Sequence, residues 1–190
     1  MNLQAAFDGL LAAVALWLAF GPARRQPALQ LGAVLLAAAA VLGTLRFSGL
    51  LPLPSLHQFL SLLGAGAGLP LIALAVTRPQ GVVARQTRYA WIVGVCASVL
   101  CVLLVVVGGF KPWSSVCAFA SALAILGVSA RRRDPLATAA GIGMVLAFGT
   151  FAGQLRVGPL QPGDFLHIGL ALALALLGVW ATRQVNKPWA

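Results

Sequence analysis

Long apolar runs alternate along this chain with short polar breaks. Runs of Ala, Leu, Val, Gly and Phe lie near 3–20, 29–47, 55–77, 89–109, 112–130, 135–154 and 164–182. Each falls within the roughly 17–25 residues that a helix needs to cross bilayer hydrocarbon. The breaks "GPARRQP", "SGLLPLP", "TRPQGVVARQTR", "GGFKP", "RRRD" and "RVGPLQPG" gather the Gly, Pro and basic residues that end helices. The pattern predicts an all-α fold: a polytopic, seven-transmembrane-helix bundle forming one integral membrane domain over 1–190, with sequential helices antiparallel. Gly64 and Gly68 in "GAGAG", and Gly149 and Gly153 in "GTFAG", stand four apart. That spacing lets helix backbones approach closely in lipid, so spans 3 and 6 are expected to be central.

Composition supports the bilayer reading. Hydrophobic residues make up 61% of the chain and charged residues 8%, with mean hydropathy +0.97; a soluble domain carries about 25% charged residues. Cys96, Cys101 and Cys117 all lie inside apolar runs and read as small buried hydrophobes. The opening "MNLQAAFDGLL" has no basic n-region, so it is not read as a secretory signal peptide. Arginine outnumbers lysine eleven to two and alanine is abundant, which points to a GC-rich bacterial source and an inner (plasma) membrane location.

The net charge of +10 reports orientation before it reports partners. Arg24, Arg25, Arg78, Arg85, Arg88, Arg131, Arg132, Arg133, Arg183 and Lys187 fall on one side of the seven-span arrangement; Arg46, Lys111 and Arg156 fall on the other. Basic residues mark the cytoplasm, so the N-terminus is expected outside and the C-terminus inside. Membrane lipids are the implied partners and nucleic acid is not. A homo-oligomer or a second membrane protein stays open as a partner.

Orientation sorts the rare ionisable groups. Asp8 near the start of span 1, His57 at the start of span 3, and Asp164 and His167 at the start of span 7 share a depth under the outer face. Arg46 and Ser48 end span 2 at that level, and Lys111, Ser114 and Arg156 reach it as well. Simple structural roles account for several polar residues. Asp134 before Pro135 fits an N-cap, Ser55 with Gln58 a capping box, and Asp164 after Pro162-Gly163 an N-cap. The tryptophans Trp17, Trp91, Trp113, Trp180 and Trp189 mostly mark span ends, as in an interfacial aromatic belt. Asp8 resists such a role: a carboxylate inside an apolar run needs a partner, and Arg46 or a histidine is the expected one.

The sharper reading joins these groups. Asp164 and His167 are three apart and share a helix face. With His57 they form an O, N, N set suited to Zn²⁺ with a water in the fourth position. Asp8 would orient a ligand histidine or act as general base, and Ser48 or Ser55 would donate to a carbonyl oxygen.

Seven helices, short loops, "GTLRFSGLLPLPSLHQF" across spans 2 and 3, and "DFLH" opening span 7 resemble the CREST superfamily. That group includes the alkaline ceramidases and the progestin and adipoQ receptors. The resemblance implies zinc-dependent hydrolysis of lipid amides, with His57 and His167 as metal ligands. The second span-7 histidine of that group is absent, since Gly163 and Ala171 hold the positions four away from His167. Span 3 also lacks the group's aspartate.

Three functions follow as expectations. The leading one is a lipid-binding or accessory membrane protein, with Arg46, Lys111 and Arg156 meeting an anionic headgroup. The second is a zinc-dependent hydrolase of lipid amides or esters. The third is haem ligation by His57 and His167. A retinal protein is excluded because positions 164–182 hold no lysine. No Walker A, Rossmann, G-x-S-x-G or H-E-x-x-H motif is present. No internal repeat is evident, which weakens a transporter reading.

Overall fold

A computed structural model describes residues 2–185; Lys187 and Trp189, assigned above to the inner face and the aromatic belt, lie outside them. Among the described residues seven helices are long and apolar enough to cross a membrane. They are α1 (Leu3–Phe20), α2 (Pro27–Phe47), α3 (Pro54–Thr77), α4 (Thr87–Val107), α5 (Trp113–Arg131), α6 (Pro135–Ala152) and α7 (Pro162–Val185). A 3₁₀ turn, Pro22–Arg25, joins α1 to α2, and a single helical turn, Val82–Arg85, precedes α4. The one isolated β-bridge among the described residues links Val157 to Leu160 before α7.

Proline sets several starts. Pro27, Pro54, Pro135 and Pro162 each occupy the first helical position, where a missing N–H costs nothing. Because Pro54 begins α3 with Leu53 as N-cap, Ser55 sits inside the first turn and the expected Ser55–Gln58 capping box does not form. Asp134 does cap α6, accepting from Ala137 N at 3.2 Å. Its other oxygen accepts from Trp180 Nε1 at 2.7 Å, which ties α6 to α7. Trp180 is therefore a buried anchor and not part of an aromatic belt.

Six helices close a ring in the order α1, α2, α3, α5, α6, α7, with α1 against α7. α4 lies outside, packed chiefly on α2 and α3 and exposing Trp91, Val95, Val99 and Val106. α3 is the most deeply enclosed helix, as its glycines suggested. Gly32 of α2 and Gly68 of α3 meet backbone to backbone: a Cβ on Gly32 would lie 2.5 Å from the Gly68 carbonyl oxygen. The π-helical turn Gly64–Gly68 has a local cause. Pro70 cannot donate to Gly66 and its ring crowds that carbonyl, so the chain widens by one residue there. α6 uses different glycines from those expected. Gly149 and Gly153 approach no neighbouring helix. Gly141 fits against Leu126 of α5, and Gly143 against Gly169 and Ala173 of α7.

The helix starts of α1, α3, α5 and α7 define one face, called here the entry face. Asn2 donates to the Phe47 carbonyl, and Gln4 to Gln161. These bonds bring the beginnings of α1 and α7 and the end of α2 together. At the far face Arg132 donates to the Val76 and Thr77 carbonyls, fastening α5 to the end of α3.

Candidate functional site

Asp8 lies between one and two turns inside α1 and is 1% exposed. Its carboxylate occupies space that exists because Gly43 of α2 has no side chain. A Cβ on Gly43 would fall 2.6 Å from Asp8 Cγ and Oδ2 and 2.7 Å from Oδ1. On the other side His167 Nδ1 stands 3.3 Å from Asp8 Oδ1. The pair is within ion-pair distance but out of line for a hydrogen bond, so both carboxylate oxygens and Nδ1 lack hydrogen-bond partners. Of the two partners expected for Asp8, the histidine is the one it meets. Arg46 turns instead over the ring of Phe47, 5.0 Å from its centroid. A buried carboxylate without hydrogen bonds costs several kcal/mol and marks a place where something polar is to be met.

His57 is placed by α2. Its Nδ1 lies 3.2 Å from the Ala39 carbonyl oxygen and its ring edge meets Phe47, centroids 5.8 Å apart. A carbonyl only accepts, so Nδ1 carries a proton and donates to it. His57 and Ser61 line two spaces at once. One is a small pocket of about 130 Å³, lined by Asp8, His167, Leu36, Phe148 and Leu170 among others. At about 30 Å³ per water it has room for about four water-sized groups. The other is an open cleft of about 630 Å³ between α2, α3, α4 and α5. Arg46, Ser55, Gln58 and Ser114 line its polar part, and Phe59, Leu62, Val105 and Val106 its apolar wall. His57 and Ser61 thus line both the open cleft and the pocket that holds the Asp8–His167 pair.

Asp164 is also 1% exposed; one of its oxygens has a local role, while Oδ1 is buried without a hydrogen-bond partner. α7 begins at Pro162, so Asp164 is the third helical residue and not the N-cap. Its Oδ2 accepts from Gln161 N at 2.7 Å, the reach-back half of a capping box. Among the described residues no three His, Cys, Asp or Glu side chains gather closely enough to hold a metal ion. The set His57, Asp164 and His167 therefore gains no geometric support as a zinc centre. The space lined by both histidines, about 130 Å³, is well below the roughly 300 Å³ at which pockets for drug-sized ligands begin.

Ser48 is exposed, donates to the Leu45 carbonyl, and lines neither space. The hydroxyl beside His57 is that of Ser61, which donates to the His57 carbonyl. Of the three cations assigned to a headgroup, Arg46 lines the cleft, whereas Lys111 and Arg156 lie in exposed loops outside it. Sequence reasoning missed Gly43 and Ser61. The signal for Gly43 was its place three residues before Arg46, on the α2 turn level with Asp8. Ser61 stands four after His57, on the same helix face.

Compared with models of known families, with curated proteins and with solved structures, the chain matches none.

Proposed function

We propose that this protein binds an anionic, single-headed amphiphile at the outer face of the membrane, with the headgroup in the α2–α5 cleft against Arg46. The supporting observation is the cleft's composition. One guanidinium, a histidine and four neutral polar side chains face four large apolar ones within a single space of about 630 Å³. That is the chemistry of a molecule with a charged head and a greasy tail. The outer placement rests on the charge bias, with ten basic residues assigned to the opposite side and three to this one. The test is native mass spectrometry with lysophosphatidylglycerol, compared with neutral lysophosphatidylcholine. A charge-assisted hydrogen bond contributes about 1.5–3 kcal/mol, so Arg46→Gln should weaken binding roughly tenfold or more. Lys111→Gln should leave it unchanged. Equal binding by Arg46→Gln and the parent would refute the reading.

A second, hydrolytic reading rests on Asp8 and His167. Their 3.3 Å approach behind His57 would supply a general acid–base pair to a lipid ester or amide bond. It requires product release from such a lipid by the purified protein, abolished in His167→Gln. Turnover equal in both proteins would remove it.

A further inference from the structure

The far face holds a cleft of about 680 Å³ where the ends of α3, α5 and α7 meet the start of α6. Arg78, Arg132, Arg133 and Arg183 line it. So many arginines around one space require compensation, and the chain offers little. Of its three acidic side chains, Asp8 and Asp164 lie at the entry face. Asp134 lines this cleft, but both its oxygens are taken, by Ala137 N and by Trp180 Nε1. Arg132 is held in place by the Val76 and Thr77 carbonyls at the end of α3, which fix its charge at the cleft and offset it only in part. Each helix terminus counts as roughly half a charge. Three C-termini and one N-terminus, together with Asp134, offset about two of the four guanidinium charges. Among the described residues about two positive charges remain.

We propose that this far-face cleft is a binding site for a phosphate-bearing anion of about two negative charges. A lipid carrying two phosphodiesters and a soluble phosphate both have this chemistry. Guanidinium groups recognise phosphate oxygens in bidentate fashion, and basic pockets between membrane helices on one side of the bilayer suit such headgroups. The volume lies in the range of small-ligand sites. The bias of basic residues toward one side explains why arginines are abundant at this face. It does not explain why four of them surround one concavity while Arg24 and Arg25, at the same face, stand outside it. The site is separate from the entry-face cleft and does not depend on that reading.

The test uses the whole protein in detergent. Cardiolipin binding is measured by native mass spectrometry, and inorganic phosphate by thermal shift against chloride at matched ionic strength. Parent protein is compared with Arg78→Gln/Arg183→Gln, which spares Arg132 and its contacts to α3. Near a surface each Lys or Arg contributes about 1 kcal/mol to anionic lipid binding, so this pair should weaken binding about tenfold or more. The Arg24→Gln/Arg25→Gln pair, with the same charge change outside the cleft, should alter it less than about twofold, given the same principle and the greater distance. Arg78→Lys/Arg183→Lys should restore most of the affinity, which separates a charge effect from misfolding. If the Gln pair does not fold, each single Gln variant should still show part of the loss. Cardiolipin binding unaffected by inorganic phosphate assigns the site to lipid; stabilisation by phosphate and displacement of cardiolipin assign it to a soluble ligand. Equal losses in the two Gln pairs, or no binding of either probe beyond chloride, would overturn the proposal.

Discussion

Gly43→Ala tests the architecture of the buried pair most sharply. A Cβ there would lie 2.6 Å from Asp8 Oδ2, and ordinary contact begins at 3.4 Å, so the carboxylate must retreat by about 0.8 Å. Its other side is occupied by His167, 3.3 Å away. Overpacking of this kind costs about 1–3 kcal/mol. Replacing a helical glycine by alanine returns about 1 kcal/mol through backbone entropy, so the net loss in the parent background is about 0–2 kcal/mol. In an Asp8→Ala background the obstruction is gone and only the gain remains. The single-mutant effects should therefore fail to add, with a coupling of about 1–3 kcal/mol. Reversible unfolding of the four proteins in mixed detergent micelles measures this. Coupling below about 0.5 kcal/mol, the scatter expected of independent sites, would mean that Asp8 does not occupy the space beside Gly43.

Other substitutions separate close contacts from open positions. Gly32→Ala meets the rigid Gly68 carbonyl and should cost about 1–3 kcal/mol in overpacking, less the about 1 kcal/mol that alanine returns, whereas Gly149→Ala meets nothing and should be neutral or stabilising by about 1 kcal/mol; the same unfolding assay ranks them, and equal effects would contradict the packing. Asp134→Ala removes a helix cap and strands the buried Trp180 N–H, for about 2–4 kcal/mol in all. Trp180→Phe, which spares the cap, should cost less by thermal melting. Elemental analysis of purified protein should find no stoichiometric zinc, because the donors do not converge. One zinc per chain, lost in both His57→Ala and His167→Ala, would reinstate a metal centre.

How much of this was legible in the sequence depends on the range of the signal. Seven apolar runs and their Pro- and Gly-rich breaks are local features, and they map directly onto seven helices. Helix starts were less legible, because proline at the first helical position extends α2, α3 and α7 backward past the first obvious apolar residue. That shift turned Asp164 from a cap into a third-position acceptor and dissolved the Ser55 capping box. The depth shared by Asp8, His57 and His167 could be read from rise per residue alone. Which of them touch could not, since rotation of a helix about its axis depends on its neighbours. Gly43, silent in composition, decides where Asp8 fits, and Phe47 draws Arg46 away from it. The far-face arginines were visible as charge, but their convergence arises from the ring order of the helices, which no local pattern encodes.

The most direct test of the account is an experimental density map of the protein in nanodiscs containing lysophosphatidylglycerol. The account requires elongated density in the cleft between α2, α3, α4 and α5, its head within hydrogen-bonding distance of Arg46 and next to His57, and its loss in Arg46→Gln. An empty cleft in the parent protein, or the same density in both proteins, would contradict it.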